Sequence, residues 1–126
     1  SGLLHSVMQN LLSNAWKFSA NQERPYIAFG RVPAGESRFE LKEDETLLFV
    51  RDNGVGFDSE QAEKLFLPFK RLHSQRDFEG HGIGLSTVKR ILARHGGRIW
   101  AESRIGQGST FWFTLPGFKN PSTPTV

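Results

Sequence analysis

The chain has 126 residues, enough for one domain with a modest hydrophobic core. It contains no cysteine, which excludes a disulfide scaffold and a thiolate metal site, and it has no apolar run as long as a membrane span. Its net charge is +3 and no basic run carries interleaved aromatic residues, so we expect no nucleic-acid binding.

The first predicted element is a helix over residues 3–18. Its apolar residues recur at helical spacing and form a stripe that should face the core. The members of this stripe are Leu4, Val7, Met8, Leu11, Ala15 and Phe18. Asn10, Asn14 and Lys17 follow one border of the stripe. Amide oxygens suit Mg²⁺ and an ammonium suits phosphate, whereas the alternative is an ordinary solvated helix edge.

Strand signals follow on both sides of a break at residues 33–37. Residues 26–32 are predicted as a first strand, residues 38–41 as its resumption, and residues 46–52 as a second strand. The acidic segment 42–45 between them is expected to be a solvated hairpin loop.

Two helices followed by two strands are predicted in the second half of the chain. A short helix over residues 60–65 should begin at a Ser59 cap, and a longer helix over residues 85–95 should stop at two glycines. Two further strands are predicted at residues 98–102 and 110–115. These elements predict an α/β fold, a two-layer α+β sandwich with a mixed, mostly antiparallel sheet covered on one face by helices.

Two glycine-rich loops carry the clearest functional signal. Residues 52–57 read DNGVGF at the end of an apolar strand, and residues 80–85 read GHGIGL at the start of a predicted helix. The Asp52 carboxylate can accept a hydrogen bond from an exocyclic amine, and a glycine-rich helix N-terminus offers N–H groups to phosphate. Each loop alone is a weak signal, but with the asparagine-bearing helix they indicate a purine nucleotide site.

Several segments, in this order, resemble the boxes of sensor histidine kinases. Residues 10–18 resemble the asparagine box and residues 52–56 the first glycine box. Residues 66–71 resemble the phenylalanine box, residues 80–84 the second glycine box, and residues 106–111 the start of the last strand. The resemblance covers nearly the whole chain, looks closest to phytochrome-like multi-sensor kinases, and places it in the wider gyrase-like ATPase superfamily with its Bergerat fold.

The resemblance implies a domain that binds ATP and Mg²⁺. It implies that Asp52 reads the adenine base with the Thr110 hydroxyl beside it, and that Asn14 and Asn10 bind the metal ion. The residues expected to act in catalysis are Asn10, Asn14, Lys17 and Arg71, the last two directed at phosphate. The other residues expected to line the nucleotide are Phe18, Gly54, Gly56, Phe66, Phe69, Gly80, Gly82, Ile83, Gly84 and Leu85.

The segment from residue 70 to residue 79 is polar and charged, as exposed loops usually are. In sensor histidine kinases the matching segment is a mobile lid over the ATP phosphates, so the resemblance implies a lid here. His81 stands where that family more often carries threonine or serine.

The resemblance implies transfer of the ATP γ-phosphoryl group to a histidine, and from there to a response-regulator aspartate. Asn10 stands where gyrase-like ATPases carry a water-activating glutamate, and an amide is not a general base, which disfavours hydrolysis. Alternatives with the same fold are an anti-sigma-type serine kinase and an ATP-sensing binding module.

The resemblance also implies the surroundings of the domain. The expected partners are the protein's own dimerisation and histidine phosphotransfer domain, its sensor domain and a response regulator, in a full-length homodimer. We expect residues 1–116 to be an N-terminally truncated catalytic domain, residues 117–126 a flexible tail, and the location cytoplasmic, without membrane contact by this domain. None of the four histidines lies in a phospho-acceptor context, so the isolated fragment should not phosphorylate itself.

Overall fold

Four strands and three helices form the described part of the computed structural model, which comprises residues 2–33, 35–67 and 84–116. In chain order they are α1 (Gly2–Ser19), β1 (Ile27–Arg31), β2 (Glu45–Asp52), a 3₁₀ helix (Ser59–Phe66), α2 (Leu85–Arg94), β3 (Ile99–Ser103) and β4 (Ser109–Pro116). The sheet order is β1-β2-β4-β3, and each of these pairings is antiparallel. The predicted two-layer fold is confirmed, and its described sheet is antiparallel rather than mixed.

The helices cover one face of the sheet and enclose the hydrophobic core with it. On α1 the predicted stripe is confirmed as far as Ala15, because Val7, Leu11 and Ala15 are buried and Leu4 and Met8 pack at the margin of the core. Phe18, its last predicted member, is half-buried. Alternate residues of β4 point into the same core, which strand geometry requires for a single buried face. These residues are Phe111, Phe113 and Leu115. Within the described ranges, no helix is both long and apolar enough to cross a membrane.

The opposite face of the sheet is covered by the β1–β2 connection. The Phe39 ring lies 5.0 Å from the Trp100 ring and 5.1 Å from the Trp112 ring, centroid to centroid. Arg38 forms an ion pair with Glu102, whose carboxylate also accepts a 2.9 Å hydrogen bond from the Trp112 indole N–H. The prediction of a strand at residues 38–41 is therefore wrong, because this segment packs across the sheet instead of pairing with it.

Glu45 does not belong to a solvated loop, as the sequence had indicated, but begins β2. Its side chain is only 2% exposed and is bound by both Nε and Nη2 of Arg98, at 3.2 and 3.0 Å. Burial raises the pKa of Glu45, and the hydrogen bonds and positive charge of Arg98 outweigh this and lower it overall. The pair ties the start of β2 to the segment before β3.

Two helix ends differ from the predicted ones. The short helix is a 3₁₀ helix capped by Asp58, whose Oδ1 accepts the Glu60 N–H at 3.0 Å, so Ser59 is its first residue and not its cap. The α2 helix ends at Arg94, and Gly96 follows in the left-handed region with φ +80°. The predicted lid and tail lie outside the described residues.

Candidate functional site

Asp52 ends β2 as a buried carboxylate, only 3% exposed. Its Oδ1 accepts the Gly54 N–H at 2.8 Å, while its Oδ2 is buried and has no hydrogen-bond partner among the described residues. Burial raises the pKa of Asp52, and the N–H groups of Gly54 and Ser109 partly oppose that rise. A buried acceptor without a donor is unfavourable in the empty protein, so Oδ2 is suited to a donor supplied by a ligand.

The two glycines after Asp52 are required by contacts inside the protein. A Cβ on Gly54 would lie 2.2 Å from the Phe18 carbonyl oxygen, and one on Gly56, where φ is +70°, would lie 2.0 Å from the Arg104 carbonyl oxygen. The Val55 N–H also donates to the Phe18 oxygen at 3.2 Å. We expected these glycines to let the backbone approach a ligand. In the structure they instead let other parts of the backbone come close, the end of α1 at Gly54 and the β3–β4 turn at Gly56.

The polar border of α1 approaches the same end of the sheet. Phe18 lies against the loop that follows Asp52, and Asn14 lies one helical turn before Phe18. Asn14, Lys17 and Asn10 are all half-buried. The amide nitrogen of Asn10 donates to the Ser6 carbonyl at 2.8 Å, so its amide oxygen is directed away from that bond and remains an acceptor.

The hydroxyl beside Asp52 belongs to Ser109 and not to Thr110, which corrects the expectation from sequence. Asp52 pairs directly with Ser109, so their side chains share the helix-covered face, and Ser109 is 4% exposed. Thr110 pairs with Arg51 on the opposite face, where its Oγ1 accepts the Arg51 Nε–H at 3.1 Å. The apolar alternation in β4 was the available signal, because Ser109 is in phase with Phe111 and Thr110 is not.

The start of α2 is suited to bind an anion. Gly84 is its N-cap and makes no side-chain capping bond, while its carbonyl accepts the Thr87 and Val88 N–H groups at 3.0 and 3.2 Å. The first N–H groups of a helix have no partner within the helix and attract phosphate. Leu85 packs its side chain in the core, so only its backbone can face a ligand. A Cβ on Gly84 would meet no atom of the described residues within 4 Å.

Phe66 lies in the core rather than on a surface open to a ligand. It is 6% exposed, and its ring packs edge-on against the Phe111 ring at 6.3 Å. The remaining predicted site residues lie outside the described part of the chain, and the structure does not place them. They are Phe69, Arg71, Gly80, Gly82 and Ile83.

A groove of about 540 Å³ opens at the Asp52 end of the sheet. Asp52, Ser103 and Ser109 from the helix-covered face line it together with Arg51 and Thr110 from the opposite face. Because the groove reaches both faces, its shape alone does not select the ligand side. The Oδ2 of Asp52, which has no hydrogen-bond partner among the described residues, lies on the helix-covered side.

The sequence is similar to one protein family over most of its length and to parts of two much longer proteins. Residues 1–118 match the family described as histidine kinase-, DNA gyrase B- and HSP90-like ATPase. Cyanobacterial phytochrome A from Nostoc sp. is 43% identical over 113 residues, which cover 90% of this chain and 14% of that protein. The methanogenesis regulatory histidine kinase FilI from Methanothrix harundinacea is 43% identical over 113 residues, covering 90% and 12%. The chain thus spans about an eighth of the length of these relatives.

Solved structures share the architecture. The catalytic domain of histidine kinase ThkA, in a nucleotide-free form, superposes with a TM-score of 0.68 at 29% identity, covering 92% of this chain and 67% of that chain. Full-length ShkA in complex with AMPPNP gives a TM-score of 0.70 at 26% identity, covering 91% and 21%. The chain therefore belongs to the histidine kinase-, DNA gyrase B- and HSP90-like ATPase family, as an ATP-binding catalytic domain of the histidine kinase type.

Proposed function

We propose that this domain binds ATP with Mg²⁺ and transfers the γ-phosphoryl group to a histidine on a dimerisation domain of the same protein, from which it passes to an aspartate of a response regulator. The observation that carries the proposal is the buried Oδ2 of Asp52, which no residue of the described part of the chain hydrogen-bonds. An exocyclic amine is the donor that this oxygen lacks, and adenine carries one at the position where guanine carries a carbonyl.

Base recognition follows from the direction of the hydrogen bonds around Asp52. Oδ1 is already committed to the Gly54 N–H, so only Oδ2 is available to the base. A carbonyl at this place would set acceptor against acceptor, which should cost about 2–4 kcal/mol relative to the amine. Ser109 takes the position beside Asp52 that was expected for Thr110.

The polar border of α1 supplies the side chains that we assign to the metal ion and to the phosphates. The oxygens of Asn14 and Asn10 are hard ligands, and Mg²⁺ commonly takes few protein ligands and completes its shell with nucleotide phosphates and water. We assign Asn14 and Asn10 as these few ligands, because they lie along the same border of α1 and both side chains are half-buried. Lys17, in the last turn of α1, supplies a cation for the phosphates.

Transfer rather than hydrolysis fits the residue at position 10. In the transfer step an imidazole nitrogen attacks the γ-phosphorus, the bond from phosphorus to the β–γ bridging oxygen breaks, and ADP leaves with that electron pair. Bound Mg²⁺ and the cations would stabilise the charge on the phosphoryl oxygens, and positioning would then carry most of the catalysis. Asn10 is no base for activating water, since an amide has no basic lone pair at neutral pH and its nitrogen already donates to the Ser6 carbonyl.

The partners that we propose for the whole protein are those that the resemblance to sensor histidine kinases implies. They are a dimerisation domain, a sensor domain and a response regulator, and the relative FilI is named a regulatory histidine kinase. We also assign the whole protein a homodimeric state and a cytoplasmic site of action. Cytoplasmic ATP and response regulators would both be accessible there.

Titration calorimetry tests the base assignment directly. ATP and ADP should bind well and GTP should bind about 30- to 800-fold more weakly, as the acceptor clash implies. Equal affinities for ATP and GTP would contradict the assignment of Asp52.

The transfer step is tested by mixing this chain with a histidine-bearing dimerisation domain and ATP labelled at the γ-phosphate. The label should appear on histidine, where it is stable in alkali and lost in acid. Asn14→Leu should abolish the labelling, while Gln9→Leu, at an exposed position on the same helix, should not. Label on serine, or none on the supplied domain, would contradict the proposal.

A further inference from the structure

Ser103, at the end of β3, makes three polar contacts through one hydroxyl. Its Oγ lies 2.8 Å from the Phe57 nitrogen, 2.6 Å from the Gly108 carbonyl oxygen and 2.9 Å from the Ser109 Oγ. Phe57 follows the loop after Asp52, and Gly108 closes the β3–β4 turn. The hydroxyl therefore joins the two turns that meet at the Asp52 end of the sheet.

Counting protons fixes the direction of these bonds. The Phe57 N–H can only donate and the Gly108 carbonyl can only accept, so the single proton of Ser103 goes to Gly108. If Ser103 donated to Ser109 instead, two oxygens 2.6 Å apart would face each other without a proton between them. The remaining bond must then run from the Ser109 hydroxyl to Ser103.

This direction determines what Ser109 presents to a ligand. Ser109 lies directly opposite Asp52 in the neighbouring strand, on the same face of the sheet. Ser103 pairs with Ser109 from the other side, so the Ser109 proton points away from Asp52. The two side-chain groups that face the proposed base are then acceptors only: the Oδ2 of Asp52, which has no partner among the described residues, and the lone pairs of the Ser109 hydroxyl.

We propose that Ser103 is a positioning residue for base selection, which holds the Ser109 proton away from the ligand and so makes the floor of the base site accept hydrogen bonds only. The inference rests on the proposed binding of adenine by Asp52. With Ser103 in place, a 6-amino purine finds acceptors and a 6-oxo purine finds no donor. Without it, the Ser109 hydroxyl is free to rotate, to donate to a 6-oxo group, or to occupy Oδ2 in place of the amine.

The experiment compares ATP with inosine triphosphate, which carries oxygen at purine position 6 in place of the amine. Calorimetry gives the ratio of the two affinities for the wild type, Ser103→Ala and Ser103→Thr. We expect Ser103→Ala to reduce the ratio about three- to tenfold, because one hydrogen bond changes direction. Ser103→Thr retains the hydroxyl in a strand that accepts threonine, and should restore the ratio.

Two controls separate positioning from a general loss of structure. Ser37→Ala removes a hydroxyl that bonds both the N–H and the carbonyl of Phe39 on the opposite face, and it should leave the ratio unchanged. Since Ser103 acts through Ser109, Ser103→Ala should have no further effect on the ratio once Ser109→Ala is present.

The outcomes distinguish a failure of the adenine assignment from a failure of the role proposed for Ser103. If the wild type binds both nucleotides equally, the adenine assignment itself fails. If the wild type prefers ATP but Ser103→Ala weakens both nucleotides in the same proportion, Ser103 only supports the turns and the present inference is overturned. It is also overturned if the ratio still falls in the background of Ser109→Ala.

Discussion

Replacing Asp52 by asparagine should weaken ATP binding without destabilising the empty domain at neutral pH. Asparagine has the same shape, and its oxygen can keep the 2.8 Å bond from the Gly54 N–H. Its amide nitrogen then takes the place of Oδ2, which is the buried oxygen without a partner. The adenine amine would meet a second donor where the wild type offers a charged acceptor.

The size of the binding effect follows from the bond that is lost. A hydrogen bond to a charged group contributes about 1.5–3 kcal/mol, so ATP should bind about 10- to 150-fold more weakly to Asp52→Asn. The difference in ATP affinity between Asp52→Asn and the wild type should be smaller in acid, because protonation of Asp52 removes the same charged acceptor from the wild type.

The raised pKa of Asp52 determines whether the substitution stabilises or destabilises the folded domain. Burial raises the pKa of Asp52 above its ordinary value of 3.8, so the folded state holds the proton more tightly than the unfolded state. The stability this contributes is present below pH 3.8 and is lost as the pH rises through the higher, folded pKa. Asparagine has no charge to bury, so at neutral pH the variant should be at least as stable as the wild type.

Titration calorimetry with ATP and thermal unfolding without nucleotide, each at neutral pH and in mild acid, measure the two effects. Asp58→Asn is the matched control, because Asp58 is exposed and asparagine caps a helix as well as aspartate does. Unchanged ATP affinity in Asp52→Asn would refute base reading by this residue. A clear loss of stability at neutral pH would refute the argument from the buried charge.

Three further predictions concern the metal ion, the β3–β4 turn and the ion pair between Glu45 and Arg98. Asn14→Leu should remove the Mg²⁺-dependent part of ATP affinity, so the variant should bind ATP equally well with Mg²⁺ and with EDTA. If Mg²⁺ strengthens ATP binding by the variant as much as by the wild type, Asn14 is not a metal ligand. Gly108→Ala should destabilise the domain by about 2–4 kcal/mol in urea unfolding, because its Cβ would lie 2.0 Å from the Asp52 carbonyl oxygen at φ +84°; equal midpoints would contradict this packing. Arg98→Met should cost about 1–3 kcal/mol at neutral pH, an amount reduced by the half-exposed Arg98 side chain. Since Arg98 lowers the pKa of Glu45 below 4.5, that cost should shrink as the pH falls through the folded pKa, and a cost independent of pH would contradict it.

The sequence predicts well the features that depend on local periodicity. The α1 stripe and the strand that ends at Asp52 both follow from the spacing of apolar residues, and both are present. It predicts poorly what covers the far side of the sheet, because the packing of Phe39 on Trp100 and Trp112 joins distant parts of the chain. It also misjudges the hydroxyl beside Asp52, although the alternation of apolar residues in β4 places Ser109, and not Thr110, in phase with the buried Phe111.

The interlocked turns have a practical bearing on insertions, deletions and loop grafting. Surface turns usually tolerate changes of length, but the β3–β4 turn sets which residues of β4 face Asp52. If one residue were removed from it and β4 moved along to restore the turn, the pairing would shift by one position and each β4 side chain would turn to the other face. Trp112 would then enter the helix-covered core and Phe113 would leave it, so a change at a solvent-exposed turn would act as a core mutation and would also remove Ser109 from its place opposite Asp52.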